Sequence, residues 1–120
     1  MTITYKTGDK DTRPWGTWEV ISVGKKFIVK KIMIMPQQKL SLQLHHYRDE
    51  HWIIAEGIAE VTIDNDIFTA PANTAIFIKA EQKHRIENKT DKPVIFIEVQ
   101  TGDTLDESDI VRLEDSYGRI

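Results

Sequence analysis

The stretch Leu40-Ser41-Leu42-Gln43-Leu44-His45-His46-Tyr47-Arg48-Asp49-Glu50-His51-Trp52 decides how this chain is read. Leu40, Leu42 and Leu44 alternate with Ser41, Gln43 and His45, the pattern of a strand with one apolar and one polar face. Gln43 and His45 therefore leave the same face, and His46 leaves the other. Glu50 opens the next strand after residues 47–49, and a hairpin is expected to return it beside that face. His84 begins a later strand after the loop 79–83. In a rolled-up sheet these three strand ends converge. Two imidazoles, a carboxylate and an amide oxygen are borderline-to-hard donors that suit Zn²⁺, Fe²⁺, Mn²⁺ or Co²⁺ without choosing among them. Three or four protein ligands would leave positions open for water or a sugar hydroxyl. On spacing alone, a surface or hydrogen-bonded core role is commoner for such histidines than metal ligation. His46 and His51 point away and are expected not to be ligands.

Outward from this stretch, short apolar runs are punctuated by turn residues. Residues 17–23 form one run, ended by Gly24. Residues 26–35 form another, ended by Pro36, with Phe27 and Val29 followed by Ile32 and Ile34 across an expected bulge. Runs 51–55 and 59–63 flank Gly57, which suggests a tight hairpin. Asp64-Asn65-Asp66 and residues 70–73 are turns, and 75–78, 84–88 and 94–100 complete about ten strands. The chain through Thr12 reads as a loose arm. Residues 106–113 are acidic, with Leu105, Ile110 and Leu113 apolar, and predict a short helix or turn capped by Asp106 or Ser108. The whole, 1–120, reads as one all-β domain, a sandwich or barrel.

Bulk properties agree. A chain of 120 residues is one domain by size, and 40% hydrophobic with 29% charged residues fits a globule. A net charge of -3 argues against a nucleic-acid-binding surface. With no cysteine there is neither a disulfide nor a thiolate metal site. The first residues are polar, and no apolar run approaches the roughly 20 residues that span a bilayer. A cytoplasmic protein without membrane partners is the expectation.

Further motifs sharpen this. Gly57 follows Glu50 at a fixed interval, and 78–88 carry His84-Arg85 and Asn88. Arg13-Pro14-Trp15-Gly16, Lys30, Ile97-Glu98-Val99-Gln100 with Gly102, Asp109-Ile110-Val111-Arg112, Asp115 and Tyr117-Gly118-Arg119 add to them. Together they resemble the cupin domain of the type II phosphomannose isomerases, in which Gln replaces the first His of the usual HxH pair. The resemblance runs from Arg13 to Arg119. It implies a cupin-type double-stranded β-helix, a jelly-roll barrel. It implies one divalent ion (Zn, Co, Mn, Fe or Ni) held by Gln43, His45, Glu50 and His84. It further implies metal-dependent interconversion of mannose 6-phosphate and fructose 6-phosphate. That domain usually follows a nucleotidyltransferase domain. This chain carries no Gly-rich phosphate loop, so no guanylyltransferase activity is expected. The chain departs from the family pattern at Lys79 (usually Pro), at Glu81 and Gln37 (both usually Gly), and at Thr104 and Asp106 (usually Tyr and Gly).

Isomerisation through an enediol needs a base, a stabiliser of oxyanion charge and a grip on phosphate. Arg48, the residue that the resemblance most associates with catalysis, suits oxyanion stabilisation or substrate orientation. By residue type alone it is a surface arginine. Glu98 and Gln100 share a strand face. Glu98 is either the base, its pKa raised by burial, or a structural carboxylate paired with Lys30 or an arginine. Arg13, Lys30, Arg112 and Arg119 are the candidate phosphate ligands, and Gln100 joins the substrate-facing set. Trp52 is expected in the core, and Trp15 is left open. A non-catalytic sugar-phosphate or nucleotide-sugar binding cupin and a cupin with other metal chemistry, such as a dioxygenase, are the competing readings. A homodimer that covers an exposed edge strand is also expected.

Overall fold

Eleven strands and no helix make up the described part of the computed structural model, residues 5–118. Arg119 lies outside the described residues. The strands are β1 (Lys10–Arg13), β2 (Gly16–Val23), β3 (Phe27–Ile34), β4 (Leu42–Leu44), β5 (Asp49–Glu56), β6 (Ile58–Ile63), β7 (Asp66–Pro71), β8 (Ala75–Ile78), β9 (His84–Glu87), β10 (Val94–Thr101) and β11 (Val111–Glu114). They form two antiparallel sheets, ordered β1-β2-β3-β10-β5-β8 and β11-β4-β9-β6-β7. Two such sheets packed face to face are the double-stranded β-helix expected from the sequence.

Period-two alternation places the core. Along β10, Val94, Phe96, Glu98 and Gln100 are buried, and their neighbours between are half-exposed. The register aligns these residues with the inward side chains of β3 and β5. Phe96 lies between Ile32 and Ile54, Glu98 between Lys30 and Trp52, and Gln100 between Ile28 and Glu50. The interior is therefore divided along the strands. One end is apolar, built on Trp52 against Phe96 (ring centroids 5.1 Å apart) with Ile34, Ile54, Val61, Ile86 and Val94. The other end carries Lys30, Glu50, Glu98 and Gln100.

Several expectations are corrected. The 51–55 and 59–63 runs do not form a hairpin: β5 pairs with β10 and β8, whereas β6 pairs with β7 and β9. Gly57 is a corner between sheets, at φ 84°, and a Cβ there would lie 2.6 Å from the Pro93 carbonyl oxygen. Only glycine meets both demands. Glu50 likewise does not return through a hairpin with β4; it arrives from the facing sheet. The bulge expected in 26–35 is absent. Ile28, Lys30, Ile32 and Ile34 all point inward, and the irregularity falls on β2 between Val20 and Ser22. The inward position of Lys30 hid this regular alternation.

The arm before Arg13 is not loose over its described part. The Gly8 N–H donates to the Val20 carbonyl and the Val20 N–H to the Asp9 carbonyl, β1 pairs with β2, and Tyr5 packs edge-on against Trp18. As an exposed edge strand, β1 needs no apolar residues and so carried no pattern. Of the helix-or-turn alternatives for the tail, the turn forms. The Asp106 carboxylate accepts the Ser108 N–H at 2.9 Å, and residues from Val111 onward add β11 to β4. Among the described residues no helix is long and apolar enough to cross a membrane.

Candidate metal centre

His45, Glu50 and His84 meet in the polar end of the barrel, each at most 2% exposed, with ligand atoms all within 4.8 Å of one another. Strand pairing explains the meeting. Gln43 on β4 lies directly opposite His84 on β9, His45 follows on the same face as Gln43, and Glu50 projects from β5 across the interior. The Ser41 hydroxyl donates to Gln43 Oε1 at 2.9 Å and fixes the orientation of the amide.

The hydrogen bonds define the tautomers. His45 Nδ1 lies 2.6 Å from the Asp109 carbonyl oxygen, and His84 Nδ1 lies 3.0 Å from that of Gln82. A carbonyl only accepts, so each Nδ1 carries a proton. His45 Nε2 turns the other way, 3.1 Å from Glu50 Oε2 and 3.2 Å from Arg48 Nη2. His84 Nε2 is buried with no hydrogen-bond partner. A buried, unpartnered imidazole nitrogen beside a second oriented imidazole and a carboxylate is a donor set suited to a divalent cation.

Glu50 is the electrostatic centre. Trp52 Nε1 donates to its Oε1 at 2.9 Å, and Arg48 Nε and Nη2 approach Oε2 at 2.9 and 2.8 Å. Burial pushes the Glu50 carboxyl up, but the Arg48 guanidinium together with His45 and His84 outweighs it and holds the group well below the usual range. Burial lowers the pKa of His84, against the pull of Glu50. Burial, and after it the neighbouring Glu50 charge, raises Glu98 to about 8. Gln100 Nε2 donates to Glu98 Oε2 at 2.9 Å.

Above this floor opens a cavity of about 530 Å³. Its wall includes Arg13, Lys30, Gln43, His45, Arg48, Glu98 and Arg112, so most of the expected site residues share one chamber. Gln100 is not part of this wall; its side chain is buried and hydrogen-bonded to Glu98. His46 and His51 are exposed, beside Glu81 and Phe77 respectively. Trp52 is core, whereas Trp15 packs into the core and also touches the cavity. Neither Thr104 nor Asp106 lines the cavity, but Asp106 shapes the turn that places Glu107 and Ser108 on its wall.

Three roles escaped the sequence reading, those of Asp109, Tyr5 and Glu107. Asp109 joins the tail to the ligand strand, its carbonyl accepting from His45 and its carboxylate from the backbone N–H groups of His46 and Tyr47. Tyr5 covers Lys30, whose Nζ lies 4.1 Å from the Tyr5 ring centre and 4.9 Å from that of Trp18. Burial, then Glu107, raises the Tyr5 pKa. Each acts across chain ends, where no local pattern signals it.

The family described as mannose-6-phosphate isomerase C-terminal matches residues 3–115, and the chain belongs to that family. It is 46% identical over 107 residues to the xanthan biosynthesis protein XanB of Xanthomonas campestris, covering 89% of this chain and 23% of XanB. It is 46% identical to the alginate biosynthesis protein AlgA of Pseudomonas aeruginosa, covering 89% of this chain and 22% of AlgA. Against the mannose-1-phosphate guanylyltransferase of Escherichia coli it is 44% identical, covering 90% of this chain and 23% of that enzyme. The chain thus spans less than a quarter of these relatives' lengths. Among solved structures, a Klebsiella pneumoniae protein with a double-stranded β-helix domain superposes with TM-score 0.71 at 18% identity, covering 94% of this chain and 91% of that one. The Lactobacillus farciminis oxalate decarboxylase superposes with TM-score 0.75 at 22% identity, covering 88% of this chain and 33% of that one. Both share the fold.

Because the folded protein keeps the Glu98 proton and the unfolded chain releases it near 4.5, this group's stability contribution is complete below about 4.5 and is lost as pH rises to about 8. Glu98→Gln in chelator-treated protein is expected to melt about 4 °C or more above wild type at pH 8, with the difference vanishing at pH 4. An equal or lower midpoint at pH 8 would show that Glu98 is not held protonated.

Proposed function

We propose that this domain is a metal-dependent aldose–ketose isomerase that interconverts mannose 6-phosphate and fructose 6-phosphate. The observation that carries the reading is the pairing of a buried His45–Glu50–His84 cluster with a cation-lined cavity large enough for a small sugar phosphate. His45, His84 and Glu50 would hold the ion, with Gln43 beside them. When bound, a divalent cation polarises the carbonyl and hydroxyl oxygens of the sugar as a Lewis acid.

The chain's own groups supply the rest. Glu98 reaches the cavity with a pKa raised to about 8, suited to taking and returning a carbon-bound proton near neutral pH. Gln100 holds its Oε2 and so positions the carboxyl. Arg48 remains protonated and is placed to orient the substrate and stabilise oxyanion charge. Lys30, Arg13 and Arg112 on the wall offer the phosphate its donors. Lys30 is held against two aromatic faces, which fixes where its charge sits.

A coupled assay with mannose 6-phosphate and added Co²⁺, Mn²⁺ or Zn²⁺ tests the reaction, with elemental analysis alongside. Wild type is expected to turn over and carry about one ion. His45→Ala and His84→Ala are each expected to lose metal affinity by about tenfold or more. Absence of turnover with every metal removes the isomerase reading, and oxygen consumption with Fe²⁺ would favour an oxidative cupin instead.

We also infer a homodimer. Ile53 and Phe77 stand 45% and 47% exposed on the outer face of the six-stranded sheet, near its β8 edge, where a second copy would cover them. Light scattering at micromolar concentration is expected to give twice the chain mass, and a monomer mass overturns the inference.

A further inference from the structure

His45 Nε2 and Glu50 Oε2 lie only 3.1 Å apart, and Arg48 reaches both. Arg48 Nη2 is 2.8 Å from Oε2 and 3.2 Å from Nε2, and Nε adds a second contact to Oε2 at 2.9 Å. The guanidinium thus sits on the atoms through which the candidate centre would bind a metal. Glu50 cannot resolve this by offering Arg48 its other oxygen, because Trp52 Nε1 occupies Oε1 at 2.9 Å. If both cations shared Oε2, like charges would be in contact where the carboxylate is 1% exposed and screening by water is weak.

Resting on the metal reading above, we propose that Arg48 and a divalent cation compete for Glu50 and His45, so that metal binding drives the guanidinium off these ligands into the substrate cavity. The route is open. Arg48 already lines that cavity, and the side chains of Glu98 and Glu107 line it too, so the displaced guanidinium has acceptor oxygens to meet. The competition gives Arg48 two functions. Paired with Glu50, it neutralises a buried charge that would otherwise destabilise the fold. Displaced, it stands where a sugar oxygen would lie. Metal loading and the delivery of a substrate-orienting group then become one event.

Modification by the arginine reagent phenylglyoxal, mapped by peptide mass spectrometry on the full chain, reads the displacement directly. Arg85, bound to the Leu40 carbonyl and Glu114, serves as reference. With Co²⁺, the Arg48 rate is expected to rise about tenfold or more over chelator-treated protein while Arg85 stays constant. Arg48→Met is expected to bind Co²⁺ about tenfold tighter or more by calorimetry, since no guanidinium need be displaced. Unchanged or weaker Co²⁺ binding by Arg48→Met overturns the competition. So do equal Arg48 labelling rates with Co²⁺ bound, even if the variant binds tighter, because removing any nearby positive charge favours a cation. Both results leave the metal reading standing. Failure of wild type and variant alike to bind Co²⁺ overturns both.

Discussion

One buried carboxylate organises the polar half of this barrel. Glu50 is 1% exposed, and an ionised group at that depth persists only if its lone pairs and charge are answered. Trp52 answers one oxygen and Arg48 the other, with His45 alongside. The Trp52 ring also packs against Phe96 at the boundary with the apolar core. The same side chain thus fixes the carboxylate and closes the hydrophobic end. Removing any one partner strands a charge, so the site and the fold are supported by the same contacts.

The neighbouring Glu98 shows the complementary outcome. It too is buried, diagonal to Glu50 across the strand pair, and burial together with that like charge holds it protonated near neutral pH. Two neighbouring buried carboxyl groups, one kept ionised and the other kept neutral, are divided by which of them Arg48 touches. Under the proposed function, this division would let one serve as a ligand and the other as a proton carrier.

What the sequence revealed followed from strand geometry. Ser41, Gln43 and His45 alternate with leucines, so their shared face could be read without a structure, and His46 and His51 could be set aside for the same reason. The error was in how Glu50 reaches that face. A positive-φ glycine such as Gly57 marks a hairpin or a corner between sheets equally well. Only the packing of Pro93 and Val94 against it chooses the corner. Asp109, Tyr5 and Glu107 stayed hidden because they reach the site from opposite ends of the chain. The departures from the family pattern at Gln37 and Glu81 acquire a physical meaning: both residues hold positive φ, 63° and 75°. Each answers the strain locally. Gln37 Nε2 donates to the Lys89 and Thr90 carbonyls, and the Glu81 carboxylate pairs with His46. These substitutions alter loop chemistry while leaving the strands that carry Gln43, Glu50 and His84 in place.

Whether the oriented imidazoles and the carboxylate serve one ion is most directly tested by anomalous diffraction from cobalt-soaked crystals, with data on both sides of the cobalt edge. The account predicts a single strong peak enclosed by His45 Nε2, Glu50 and His84 Nε2, with Gln43 at its border. A peak bound elsewhere, or no peak between these side chains at saturating cobalt, would contradict it.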